Sequence, residues 1–376
     1  MTESKPYKVA IIGGGPAGTA CAINLCRLGV KDVLVIESGE YEKFRIGESI
    51  PPESRQIFAK LGILDSFLAE NHDPCYGSVS YWGDHRRGYN DSIMSPFGHG
   101  WHLDRTRFNR FLANEASKAG VEVLIQTKYQ YTRQLEDGHF LLTIKNSEGR
   151  KTVNAEIVVD ASGSKAVFAQ EMGSKKIHSQ PLICLAARFK AKDGQSPQMQ
   201  LTHLEAVEYG WWYTAKLPDN SMLVTLYSTK EIIQSEKLNS PDQWLEYLKN
   251  TPHTYDLVQS MEIVDNPPKG FPAPSYCLDK CAGKNWLAIG DAASAYDPIT
   301  SRGITKSLLN AEVSANIVAK RLNNIIPDCQ EVHNHIKLSY DRYLEERQYY
   351  YGLEKRWKDS IFWQELQIEN FQIPLT

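Results

Sequence analysis

The chain has 376 residues and a formal net charge of −3, enough length for two or three lobes around a sizeable core. So slight an acidic balance gives no electrostatic case for nucleic-acid binding, and no apolar run approaches the ~20 residues that a membrane span needs. Seven scattered cysteines (Cys21, Cys26, Cys75, Cys184, Cys277, Cys281 and Cys329) form neither a zinc nor a redox spacing, so no metal site is expected. The first residues are polar and lead directly into a strand, so a cytoplasmic chain without a secretory leader is expected.

The first element is announced by "VAIIGGGPAGTACAINLCRLG". Residues 9–12 read as a buried strand and residues 17–28 as a helix with apolar positions at helical spacing. Between them Gly13, Gly15 and Gly18 match G-x-G-x-x-G, with Pro16 and Ala17 inside the motif. The first glycine permits a tight turn, the second lets backbone approach a pyrophosphate, and the third brings helix and strand close. About twenty residues on, the apolar strand 33–36 ends in Glu37 and Ser38, where a carboxylate accepts hydrogen bonds from an adenosine ribose. An acid there opposes a 2′-phosphate. Strand, turn, helix, second strand and acid in register predict dinucleotide binding.

Further along, "RIGESIPP" (45–52) and "GWHLDRTRFNRFLANEASKAGVEV" (100–123) lead to "VVDASGSKA" (158–166) and "GWWYTAKLP" (210–218). The stretch "VEYGWWYTAKLPDNSMLVTLYST" predicts a hairpin turned at Pro218-Asp219-Asn220. A late strand, 286–289, ends in Gly290-Asp291 and runs through a proline-containing loop to a helix from about Gly303. An acid at a strand end beside a helix start can hydrogen-bond a polyol while backbone amides hold a ring carbonyl. A nicotinamide enzyme has no need of that second turn. The tail "YYYGLEKRWKDSIFW" (349–363) is aromatic, and Tyr340, Tyr343, Tyr350, Trp357 and Phe362 are expected as the buried stripe of a helix.

On these motifs the sequence resembles the FAD-dependent monooxygenase superfamily, and within it the tryptophan-halogenase-like clade. The resemblance implies a glutathione-reductase-type α/β fold: a discontinuous Rossmann-like FAD domain (1–75, 100–175, 275–325), a mostly antiparallel β substrate domain (76–99, 176–274) and a C-terminal helical segment (326–376). It implies that Arg45, Glu48, Ser49 and Arg105 contact FAD beside the glycine turn. It also implies that Gly290-Asp291 meets the ribityl-pyrophosphate and that Pro298, Gly303 and Ile304 lie along the flavin. The electron donor, NAD(P)H or a partner reductase, is left open, because no second Rossmann motif is present.

The specialised halogenase groups are missing. No lysine occurs between Lys60 and Lys118, where halogenases carry their active-site amine; the loop after Asp297-Pro298 reads Ile299-Thr300 without a glutamate; and "WWYTAKLP" departs from Trp-x-Trp-x-Ile-Pro. The combination RIGESIPP, GWHLDR, GWWY, DPITSRGI and the aromatic tail is similar to flavoproteins that mature cysteine tryptophylquinone-dependent glycine and lysine oxidases. That resemblance implies hydroxylation by dioxygen of a tryptophan in the oxidase precursor. The alternatives are halogenation, geranylgeranyl-reductase-like reduction of a small apolar substrate, or a non-catalytic flavin-bound maturation chaperone. His99, Trp101, Trp211 and Tyr213 are the candidate substrate-pocket residues. No catalytic acid or base is named, because histidines such as His99 and His102 near a turn more often serve structure.

Overall fold

The computed structural model describes residues 7–178, 181–192, 199–266 and 268–367. The apolar strands Tyr7–Ile12, Val33–Ile36, Glu122–Leu124, Gly149–Asp160 and Trp286–Ala288 pair in parallel at the centre of an eight-stranded sheet. The register aligns Ile12 with both Ile36 and Asp160, and Asp160 with Ala288, so four carboxyl ends finish on one edge. The helices Pro16–Arg27, Arg105–Lys118 and Gly303–Leu322 pack beside this sheet and share its core. An antiparallel hairpin, Lys128–Gln134 and Phe140–Asn146, extends the sheet from the long strand Gly149–Asp160. This is a Rossmann-like mixed α/β arrangement, in which ligands lie beyond the carboxyl ends of the strands.

A second eight-stranded sheet runs in the order Met261–Ile263, Leu182–Ala191, Met222–Ser228, Gly210–Lys216, Thr202–Val207, Gly77–Tyr81, Gly88–Asp91, with Lys269–Ala273 also on Leu182–Ala191. Its pairs are antiparallel except Thr202–Val207 with Gly77–Tyr81. Alternation along Gly210–Lys216 sends Trp211, Tyr213 and Ala215 to one face and Trp212 to the other. Trp212 packs edge-on against Trp244 at 5.1 Å, beneath the short helices Lys230–Ser235 and Pro241–Lys249. The turn between Gly210–Lys216 and Met222–Ser228 has Asn220 at φ +60°, with Leu217 N donating to Ser221 O at 2.8 Å.

The long helix Gln330–Leu353 joins the two lobes. Ile336, Tyr340 and Tyr343 pack into the core of the first, while Tyr351 and then Phe362 and Trp363 pack on the second sheet. The buried positions 336, 340, 343, 347 and 351 follow the helical period, while Tyr350, at the edge of that stripe, is 39% exposed. Trp357, beyond the helix, is partly buried against Trp363.

A small sheet at the lobe junction pairs Gly100–His102 with Ser49–Ile50 and with Asp73–Cys75. His102 is fully buried there, and neither ring nitrogen has a hydrogen-bond partner among the described residues. Burial pushes its pKa down to about 4, against the pull of Asp73. The folded value lies below the ordinary value of 6.5, so the unfolded chain takes up the proton first. His102 is therefore expected to cost nothing above about pH 6.5 and on the order of 3 kcal/mol of stability by pH 4. Urea unfolding across that window should show a steep acid limb that His102→Gln makes shallower. An equally steep limb in the variant would contradict this assignment.

Candidate functional site

The site begins where the parallel strands end. Gly13 has φ +112°, and a Cβ there would lie 2.2 Å from the Ala161 carbonyl oxygen, so the turn passes against the end of the neighbouring strand. A Cβ at Gly18 would lie 1.9 Å from the Gly13 oxygen, which brings helix and strand together. Gly15 is different. Its φ of −76° suits any residue, and a Cβ there would meet nothing within 4 Å. The backbone at Gly15 faces open space, and Pro16 starts the helix whose unpaired N–H groups lie behind it.

Glu37 is buried and braces this turn: its carboxylate accepts from Gly14 N and Gly39 N, each at 2.7 Å, and from Ser38 Oγ at 3.4 Å. Tyr41 donates its hydroxyl to the Gly14 oxygen at 2.9 Å. On the other side, Gly290 at φ +58° brings its turn against Ala17; a Cβ would lie 2.7 Å from that side chain. Asp291 follows with its side chain 48% exposed. Gly303 opens the helix Gly303–Leu322 with nothing in front of it, while Ile304 is buried in the core of the first lobe.

Arg105 is the first residue of its helix, which Asp104 caps by accepting from Arg107 N at 2.9 Å. Its guanidinium donates to the carbonyls of Ile46 (2.9 Å) and Gly47 (2.7 Å), while its buried Nε has no partner among the described residues. Burial pushes its pKa down to about 10 with Arg45 beside it, which still leaves a cation at neutral pH. Glu48 is buried and accepts from Gly47 N at 2.9 Å; burial raises its carboxyl pKa, with Tyr213 and Arg105 pulling the other way. Ser49 Oγ meets Tyr213 OH at 2.8 Å, which joins the Gly-Glu-Ser segment to the second sheet. A cavity of about 290 Å³ lies at this junction, lined among others by Phe44, Arg45, Glu48, Arg105, Arg188 and Asp219. A hollow of about 480 Å³ on the outside, around Lys60 and Glu312, holds none of these converging groups.

The loop after Asp291 is held from the C-terminal helix. Asp297, 2% exposed, accepts from Tyr351 OH (2.9 Å) and Arg347 Nε (3.2 Å) at one oxygen and from Ile299 N (3.0 Å) at the other. Its own N–H donates to Tyr343 OH at 2.7 Å, and the Pro298–Thr300 turn follows. Removing one partner of so deeply buried a pair typically costs 3–5 kcal/mol, of order. Arg347 escapes a sequence reading, because a charge in a polar helix looks like a solvated face.

Of the four pocket candidates, Tyr213 is brought to the Gly-Glu-Ser segment. Trp211 is stacked on Tyr227 at 4.1 Å and donates Nε1 to Tyr351 OH at 3.1 Å, inside the core between sheet and tail. Trp101 packs edge-on against Phe67 at 5.1 Å in the first lobe. His99, half-buried, lies between Tyr76 and Trp101 with Nδ1 2.7 Å from the Gly100 oxygen.

Open space before a naked backbone at a helix start, an unpartnered arginine Nε and a half-exposed aspartate on the opposite turn fit a dinucleotide with a charged pyrophosphate and a polyol chain. The sequence profile of tryptophan halogenases matches residues 8–99 and 85–375, nearly the whole chain. The chain belongs to the tryptophan halogenase family. It is an FAD-dependent oxidoreductase. It is 29% identical over 365 residues to the putative FAD-dependent oxidoreductase LodB of Marinomonas mediterranea, covering 95% of this chain and 96% of that one. The fold is shared with the myxobacterial chondrochloren halogenase CndH (TM-score 0.86, 22% identity, 98% of this chain and 87% of that). It is shared as well with QhpG, a peptidyl tryptophan dihydroxylase essential for tryptophylquinone cofactor biogenesis (TM-score 0.78, 22% identity, 99% and 81%).

Because Gly15 has ordinary backbone and empty surroundings, Gly15→Val is expected to fold with the urea midpoint of flavin-stripped wild type and to fail to retain FAD. A yellow Gly15→Val protein with wild-type flavin content would show that no cofactor approaches the chain there.

Proposed function

We propose that this oxidoreductase hydroxylates a tryptophan side chain of a precursor protein, in the formation of a cysteine tryptophylquinone cofactor. Bound FAD, once reduced, supplies the activation of dioxygen. The chain's part is to hold, orient and exclude. Gly15 and the helix start behind it would take the pyrophosphate, Glu37 the ribose, Asp291 the ribityl hydroxyls, and Pro298 to Ile304 the flavin edge. Arg45 and Arg105 bring positive charge to the cavity between the lobes. Glu48, Tyr213 and Ser49 form a connected set of proton-bearing groups beside it, and the Glu48 carboxyl, with its pKa raised, is suited to take up or release a proton there.

The observation that carries this reading over halogenation is the lack, among the described residues, of a covered and uncommitted amine near the lobe junction. Residues 61–117 contain no lysine, and the two well-covered lysines near the junction are committed: Lys216 to Asp73 at 2.9 Å and Lys306 to Asp291 at 2.8 Å. The likeness to QhpG over 99% of the chain supports tryptophan in a protein as the substrate. Halogenation is the second reading, favoured by the family and by relatives such as the 1H-pyrrole-2-carbonyl-[peptidyl-carrier protein] chlorinase of Pseudomonas fluorescens, 24% identical over 350 residues. A protein substrate requires a recognition surface, of order 1,000 Å² or more, which a free amino acid cannot provide. Free tryptophan is therefore expected to be a poor substrate even at millimolar concentration.

Co-expression with a quinone-cofactor oxidase precursor, followed by mass spectrometry of its tryptophan peptides, tests the reading. The expected result is oxygen from labelled dioxygen on one tryptophan, only when this protein is present. Halogen on the peptide, or efficient turnover of a free small molecule with no effect on the precursor, would overturn it.

A further inference from the structure

Lys306 lies one turn into the helix Gly303–Leu322, and no motif used above calls for it. The buried apolar positions Ile304, Leu308, Ala311 and Ala315 lie on the opposite face of this helix. On its own face the chain hides an ammonium group, with the Lys306 side chain 5% exposed. The ammonium donates to Asp291 Oδ1 at 2.8 Å and to the Ser294 carbonyl oxygen, and it stands 4.5 Å from the centre of the Tyr296 ring. Tyr296 is itself stacked on Tyr343 at 4.1 Å, the tyrosine whose hydroxyl accepts from Asp297 N. One buried cation thus touches both ends of the 291–297 loop. The burial is one-sided: the lysine is covered, while Asp291 keeps 48% of its side chain exposed, on the turn that Gly290 brings against Ala17.

An unneutralised carboxylate is a poor neighbour for a pyrophosphate, because like charges a few ångströms apart repel strongly where water is displaced. A carboxylate that must accept hydroxyl hydrogen bonds must also be held in one orientation. The lysine meets both needs from the protein side. We propose that Lys306 is a positioning residue for FAD: it fixes the Asp291 carboxylate towards the cofactor's polyol chain and cancels its charge beside the pyrophosphate. This rests on the placement of FAD between Gly15 and Asp291.

The test is FAD affinity, read by quenching of flavin fluorescence when protein stripped of flavin is reloaded. Lys306→Met is expected to raise the Kd by about tenfold or more, the size of one charge-assisted hydrogen bond. Lys306→Gln, which keeps a donor without the charge, carries the same expectation should methionine not be tolerated. Lys306→Arg is expected to recover most of the affinity, and the thermal midpoint of each stripped variant shows that the loss is not one of fold. Because the lysine acts through the aspartate, Asp291→Asn combined with Lys306→Met should bind no more weakly than the weaker single variant. A folded Lys306→Met or Lys306→Gln protein with wild-type FAD affinity, an arginine variant as weak as methionine, or losses that multiply in the double variant would overturn the proposal. Wild-type protein that cannot be reloaded with FAD would instead refute the cofactor placement.

Discussion

The contact between the Gly13 turn and the Ala161 carbonyl is the constraint on which the rest of the site depends. Two strands can end side by side with their turns pressed together only if one turn carries no side chain at the point of contact. Meeting that condition puts the helix Pro16–Arg27 hard against the sheet, and Gly18 and Gly290 repeat the same economy of volume on either side. Between them a Cβ on Gly15 would meet nothing within 4 Å, so these close-packed turns form a ring of contacts that leaves Gly15 open. Evolution has many uses for glycine, but a glycine with ordinary φ and empty surroundings serves access rather than geometry.

Around that ring the charged groups are arranged by burial. Each of the two carboxylates on the loop from Asp291 to Asp297 has its own buried cation, Lys306 for the first and Arg347 for the second. The second pair is wholly internal and fastens the Asp-Pro loop to the long C-terminal helix, to Tyr351 and, through it, to Trp211 of the second sheet. The first pair has its cation inside and its anion at the surface of the cradle. Buried ion pairs are weak sources of net stability but strong sources of orientation, and orientation is what a loop along a cofactor needs. The C-terminal segment is in this way part of the site without reaching it.

Much of this was legible in the sequence because it rests on local, short-range constraints. The G-x-G-x-x-G turn, the acid ending the second strand and the Gly-Asp turn each need a given residue type at a given spacing, and composition has few other reasons to produce them together. The β-rich lobe and its hairpin at 218–220 were legible for the same reason. The pocket aromatics were less so. Alternation places Trp211 and Tyr213 on the same face, yet the tail supplies Tyr351 to hold Trp211, a contact about 140 residues away that no local pattern encodes. Lys306 and Arg347 were invisible for a related reason. A charge in a helix reads as a solvated face until the partner that buries it is known, and both partners lie on a loop whose path only the assembled fold defines.

We propose that FAD lies in the cradle between Gly15 and Asp291. The direct measurement is to purify the protein, denature it, and identify and quantify by chromatography whatever flavin is released. FAD in near-stoichiometric amount is the result predicted. Release of FMN, or a colourless protein that stays colourless after incubation with FAD, would contradict it.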